Sequence, residues 1–513
     1  MRALALLLLS PSLLIAAIPA PLIQWQRSFG TIYDDQGTVV GKQTADGGYI
    51  VAGGQGDSTD SGQFWLLRLD ASGNVIWQRT GGSSDPEQED NVADVIQTSD
   101  GGFLLAVESD SAFKAPDTAK TDGAYGGTDV WLIRYDANGN QLWDRTLGAS
   151  GEDTPQQVIS LADGGFAMWG NFDPGTNGNR SSASYGTRTC WFVKLDAFGN
   201  KISERSYGGS GSDSAGRFTP VSGGGFLLVA TSESPTSGNK TASAYGRADI
   251  WVIRVDAAGN KLWDRSFGGV ELDYALNVWE TNGMFVVAGC SYSGASGNKM
   301  NVATGIWLIG IDAAGNRLWD RVLPIPDIPI SAPRIEPLPD GGWIVASSDY
   351  KSIPDPHDPE STVMDEDYRV VRFDSSGVRV WEVSYGGNEW DLLKSICLTR
   401  DGGFLLAGGS DSGASGAKTS SKAGATDMWL VKLAPDAWSG LRHLPTTFHS
   451  IRTNGFKLSL SGVLNVDYAL DRSTNSIQWT PLQTNRLTSN GMVLIDPTAT
   501  NLSRAFYRTR VIR

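Results

Sequence analysis

The chain is poor in cysteine, histidine and basic charge. Its 513 residues hold three cysteines (Cys190, Cys290, Cys397) and three histidines (His357, His443, His449). An odd, sparse cysteine set is not a disulfide framework, so buried thiols packed as small hydrophobes are expected. So little histidine leaves scant room for nucleophilic catalysis. No Gly-x-Ser-x-Gly, His-Glu-x-x-His or phosphate-binding glycine loop occurs. Net charge is −14 and no basic run is present. This excludes nucleic acid as an expected partner, because a polyanion is repelled on average. Beyond the N-terminus no second long apolar run appears, so no membrane span is expected in the mature chain.

The N-terminus itself, "MRALALLLLSPSLLIAAIPAP", has one arginine, a leucine-rich stretch and then small residues. It reads as a secretory signal peptide over 1–20. The product is expected to be secreted, extracellular or held at the cell surface or in the periplasm, and to act as a monomer.

Glycine is abundant, with 62 residues, and tryptophan with 18. Together they suit short strands, tight turns and large aromatic packing units. Two phrases recur. Asp-Ala-x-Gly-Asn starts at Asp70, Asp136, Asp196, Asp256 and Asp312, with a weaker copy at Asp374. Between the copies stand "TADGGYIVAGG", "TSDGGFLLAVE", "LADGGFAMWGN", "VSGGGFLLVAT", "TNGMFVVAGC", "LPDGGWIVASS" and "TRDGGFLLAGG". Each phrase is a hairpin signal, a Gly-containing turn between apolar runs. Four strands per unit and no intervening helix predict an all-β fold, a seven-bladed β-propeller over 21–438. "LIQWQRSFG" precedes the first hairpin, and the strand after Trp429 has no partner in sequence order. Leu22–Phe29 is therefore expected to pair with Met428–Leu433 and close the ring. Residues 439–513 drop the repeat and read as a small C-terminal β-sandwich-like module.

The repeat resembles that of secreted bacterial β-propeller repeat proteins, quinoprotein-like or WD-like. That resemblance implies fold more than activity. The quinoprotein turn is one residue longer than Asp70–Trp77, and the adjacent cysteines that this resemblance implies are absent. No organic cofactor is expected. The tail is similar to C-terminal modules of exported bacterial proteins through Tyr468, Leu470, Ser473, Trp479, Pro481, Leu482, Asp496, Phe506, Tyr507 and Arg508.

The rim-strand tryptophans Trp25, Trp77, Trp143, Trp263, Trp319 and Trp381 are read as packing, with Ile202 filling the third blade's place. Candidate binding residues lie on the face that carries the long loops between second and third strands, since long loops on a rigid scaffold are where binding usually sits. One set is the aspartates after each blade-to-blade loop: Asp35, Asp90, Asp153, Asp213, Asp273 and Asp391. They are expected near the channel mouth, where they cap their own loops or bind a cation such as Ca2+. A second set is Tyr125, Tyr185 and Tyr245, which stack on sugars or tuck onto their own blades. In the sixth loop Asp355, Asp358, Glu360, Asp365 and Asp367 are the metal candidates. No catalytic residue is assigned. The reading is a binding or interaction scaffold for a protein or carbohydrate ligand. The alternative is a polysaccharide-active hydrolase or lyase using carboxylates at the channel mouth.

Overall fold

The computed structural model describes residues 20–35, 39–56, 62–82, 89–110, 120–175, 178–281, 283–325, 333–354, 362–435, 440–443, 456–461, 467–473, 480–486, 492–496 and 506–512. Seven four-stranded sheets follow one another. Blades one to six span 40–81, 90–147, 153–207, 213–267, 273–323 and 334–385. Blade seven takes three strands from 391–433 and its rim strand, Ile23–Phe29, from the other end of the chain. That strand pairs with Asp427–Leu433 in the expected antiparallel register, Ile23 opposite Leu433 and Phe29 opposite Met428. Inner strands touch in sequence order, and the last touches the first, so the sheets form a closed ring.

Both turn phrases work through their aspartates. Asp70 Oδ1 accepts from the amides of Ser72 and Asn74 at 2.8 and 2.9 Å, and Asn74 Nδ2 donates to Asp70 Oδ2. Gly73 takes the positive φ (80°) that closes this turn. In the Asp-Gly-Gly turn, Asp100 accepts the Gly102 amide and two 2.6 Å bonds from Arg134 of the third strand.

The tryptophans divide into two structural classes. Those of the third strand are buried, and four indoles donate to a rim-strand acid: Trp131 to Asp144 at 3.0 Å, Trp191 to Glu204 at 3.1 Å, Trp251 to Asp264 at 2.9 Å and Trp307 to Asp320 at 3.1 Å. Those of the rim clasp the next blade. Trp77 donates to the Ala137 carbonyl in the neighbouring turn, and its ring packs on Gly139. Arg79 lies over the ring, 5.4 Å from its centroid, and donates to Gly139 and Asn138 of that turn. Such a ring is amphipathic, with an apolar face and a polar edge both satisfied.

Blade three departs from expectation. Ser203, not Ile202, occupies the tryptophan position, since Ser203 pairs with Lys194 just as Trp263 pairs with Arg254. Ile202 points outward and is 58% exposed. The missing volume is filled from inside. Phe192 reaches Gly259 in the next turn, and Tyr207 donates its hydroxyl to the Gly259 carbonyl. Restoring the repeat's tryptophan would force two aromatic rings into one space. Ser203→Trp is expected to destabilise by about 1–3 kcal/mol, read as a lower thermal midpoint, and Phe192→Val in the same chain should recover most of it. A raised midpoint in the single variant would contradict this packing account.

Blade six also differs. Its sixth loop was expected to be irregular, but the second and third strands run on into it as Trp343–Pro354 and Thr362–Phe373, in continuous register from Trp343/Phe373 to Pro354/Thr362. The β-branched residues Thr362 and Val363 favour the extended conformation of a hairpin arm.

The chain divides into two compact units, the ring over 22–378 with 383–435 and a second centred on 436–513. The second contains two three-stranded sheets, with Phe456–Ser461 central in one and Asp467–Ser473 central in the other. Arg472 of one sheet and Asp496 of the other form a 2.9 Å ion pair, and Tyr468 and Leu470 are fully buried. Trp479 lies outside the described residues.

Candidate functional site

The aspartates expected near the channel mouth, Asp35, Asp90, Asp153, Asp213, Asp273 and Asp391, are all buried, and none lines the cavity on the ring's axis. Five cap their own loops: the amides of Thr31, Ala149, Gly209, Gly269 and Gly387 donate to Asp35, Asp153, Asp213, Asp273 and Asp391. Each of these amides lies four residues upstream, so the carboxylate closes a tight loop, as an Asx-type bond does. Burial pushes the carboxyls of Asp153 and Asp391 up, to about 7 and about 6. A second buried aspartate from the preceding third strand stands at the same junction: Asp129 and Asp153 both flank Gly148, and Asp249 and Asp273 both flank Gly268.

A buried cation from the long loop answers these acids, which gives the repeated Gly-Asn-Lys a role. Lys240 donates to the Ser234 carbonyl at 2.6 Å, stands 5.9 Å from the Trp251 ring centroid, and feels Asp213 and Asp249. Lys120, Lys299 and Lys418 occupy the same place in their blades, and Arg180 in blade three. The tyrosines Tyr125, Tyr185 and Tyr245 sit beside Gly178, Gly238 and Gly297 of the next blade's loop. Asp355, Asp358 and Glu360 lie outside the described residues. Asp365 and Asp367 are buried on the third strand of blade six, Asp367 beside Gly386 in the junction position held elsewhere by Asp129. Among the described residues no three His, Cys, Asp or Glu side chains gather as a metal site.

The ring's axis presents a different chemistry. A cavity of about 300 Å3 is lined by inner-strand residues of five blades, including Lys42, Arg217, Asn277, Arg334, Glu336, Lys394 and Cys397. Bulges in the inner strands aim some of these side chains. Register shifts fall between Val92 and Asp94, Ala215 and Phe218, Ala275 and Asn277, and Leu393 and Ser395. An extra residue re-aims the strand there, which is how Arg217, Leu276 and Lys394 come to line the cavity.

Among the described residues the four cations Lys42, Arg217, Arg334 and Lys394 face three acids, Asp94, Glu336 and, near Lys394, the buried Glu366. Asp94 is fully buried; it accepts from Lys42 at 2.6 Å and from the Val158 amide at 3.2 Å, with Arg217 at 3.9 Å. Arg334 donates Nε to the Lys394 carbonyl at 2.8 Å. Among the described residues the Lys394 ammonium has no hydrogen-bond or ion-pair partner. Burial holds Arg334 down at about 10, and the Arg217 charge lowers it further. Burial lowers Lys394 as well, followed by the charge of Arg334. Burial raises Glu336 to about 7, against the pull of Arg217 and Lys42. A chain of net charge −14 thus keeps an excess of positive charge on its axis. Desolvated cations that repel one another form a site ready for an anion.

Sequence reasoning missed this set. A signal existed: charged residues interrupt several inner strands ahead of the Asp-Gly-Gly turn, as in "VGKQTADGG", "RIEPLPDGG" and "LLKSICLTRDGG". Aligning those strands on their turns brings Lys42 and Glu336 to one level, with Arg334 and Lys394 further from their turns.

No protein-family model and no curated protein sequence matches the chain. Solved structures do resemble it. Hydrazine synthase of Kuenenia stuttgartiensis is 12% identical over 73% of this chain and 93% of that one, with a TM-score of 0.40. A polysaccharide lyase of the PL25 ulvan lyase family is 12% identical over 80% and 97%, with a TM-score of 0.41. Prolyl oligopeptidase B from Galerina marginata is 10% identical over 84% and 56%, with a TM-score of 0.39. Likeness at this level assigns no role to any residue of this chain.

Proposed function

We propose that this chain is an exported, monomeric binding protein whose ligand places an anionic group in the axial channel, entering from the face of the long loops. The cationic channel cluster carries the reading. Arg334 and Lys394 supply charge-assisted donors, which are the strong hydrogen bonds of recognition. Asn277 and Ser395 add neutral polar groups in the same register as Arg334, beside an apolar wall of Val40 and Leu276. This mixture of apolar wall and few convergent polar groups is what ligand sites present. The test is titration calorimetry with inorganic sulfate and with D-galacturonate, using D-galactose as the neutral control. Saturable binding of the anions alone supports the reading; equal or absent binding of all three overturns it.

The affinity should depend on pH in a definite direction. Glu336 carries its proton below about 7 and is charged above it. Protonation removes a negative charge from the channel, so an anion binds more tightly at pH 6 than at pH 8. The lowered Lys394 acts in the same direction, since it loses charge as pH rises. A several-fold weakening from pH 6 to pH 8 is expected, with proton uptake on binding near pH 7, read by calorimetry in two buffers of different ionisation enthalpy.

Glu336 also supports a second reading. A carboxyl held near neutrality beside cations is suited to general acid catalysis on a polysaccharide. Release of reducing ends or of unsaturated sugars, abolished by Glu336→Gln, would establish turnover and displace the binding reading.

A further inference from the structure

The repeat is broken at one point of the channel mouth. After the second strand, five blades turn into their long loops through one residue whose amide bonds the blade-to-blade loop. That residue is Asp110, Asp173, Glu233 and Asp411 in blades two, three, four and seven, but Tyr292 in blade five. The second residue of the inner strand changes with it: Asn91, Thr154, Ser214 and Leu392 elsewhere, Tyr274 in blade five. The two rings meet edge to face, 6.2 Å between centroids at 87°, and each is about 40% exposed (Tyr274 39%, Tyr292 40%). Blade five therefore replaces an acid with an open aromatic pair. Tyr274 precedes the cavity-lining Leu276 by two strand residues, roughly 7 Å, a span that one sugar ring bridges. The loops beyond are rich in serine, threonine and asparagine, as in "SESPTSGNKTASAYG" and "SYSGASGNKMNVATG".

We propose that the ligand is the end of an acidic oligosaccharide, with the carboxylate of its last sugar among Arg334 and Lys394 and the C–H face of the preceding sugar on Tyr274 and Tyr292. This rests on the anion-binding reading of the channel and names its ligand class. A ring with an apolar face and a hydroxyl edge suits a sugar, which offers both surfaces. The acids at the corresponding positions of blades two, three, four and seven disfavour a polyanion there by like charge, so the chain leaves over blade five rather than over those blades.

The experiment compares D-galacturonate with its α-1,4-linked trimer, by calorimetry, on the wild type and on Tyr274→Ala/Tyr292→Ala. The trimer should bind the wild type at least tenfold more tightly than the monomer. The double variant should lose that gain while keeping monomer affinity and its thermal midpoint, because both rings are partly exposed. A trimer that binds no better than the monomer, or a double variant that keeps the gain, overturns the inference. Failure of the monomer and of sulfate alike overturns the channel reading and this inference with it.

Discussion

Arg334→Gln/Lys394→Met is expected to weaken galacturonate binding by about 30- to 100-fold while leaving the thermal midpoint unchanged or raised. A hydrogen bond to a charged group contributes about 1.5–3 kcal/mol, and two such donors are lost. Long-range attraction falls too, but Lys42 and Arg217 remain, partly neutralised by Asp94. Hence the loss is less than the sum of two full contacts. The stability sign follows from the direction of the shifts. Both groups are bases whose values are lowered in the fold. A base so lowered disfavours folding wherever it is charged, so removing the charge relieves the fold at neutral pH. The pairing of lost affinity with retained or raised stability separates a binding site from a structural one. Titration calorimetry and a thermal melt on the same preparation read both; a fall in midpoint with unchanged affinity would refute the assignment.

Deleting residues 22–29 is expected to cost at least about 5 kcal/mol, a fall of roughly 6 °C or more in thermal midpoint for a ring of this size. Blade seven would lose its rim strand. Trp25, which packs on Gly73 and meets Tyr49 edge to face at 5.4 Å, would leave a void at the junction with blade one. Gln26 would be lost as well. It plays in blade seven the part Asp144 plays in blade two, accepting the Trp429 indole at 3.1 Å and the Thr419 amide at 3.0 Å, and it donates to the Ala417 carbonyl. The exposed edge of Asp427–Leu433 would then be free to pair with other chains. A synthetic peptide of residues 22–29 added in trans should restore part of the midpoint. A deletion variant with an unchanged melt would rule out closure by this strand. Because the pairing joins opposite ends of the ring, it is also the contact of longest sequence separation and should form late in folding.

The amino-acid sequence alone determined the ring. Repeated Gly-containing turns at Asp70 or Asp100 can close only as hairpins, because their aspartates and glycines satisfy the turn's own amides whatever lies around them. The count of those hairpins left one strand over at each end, which required the closure through Ile23–Phe29. Local chemistry also settled the rim tryptophans as packing. Tertiary structure decided the rest. Ser203 rather than Ile202 as the odd residue was already legible in the repeat's spacing, since Ser203 follows Asp196 at the distance Trp263 follows Asp256, but how its missing volume is filled was not. Capping by Asp153 or Asp213 depended on which amide came within reach. Above all, Lys42, Arg217, Arg334 and Lys394 are far apart in sequence and unremarked in their own strands. They become one site only because the ring brings its inner strands to a common axis, and bulges turn Arg217 and Lys394 into it.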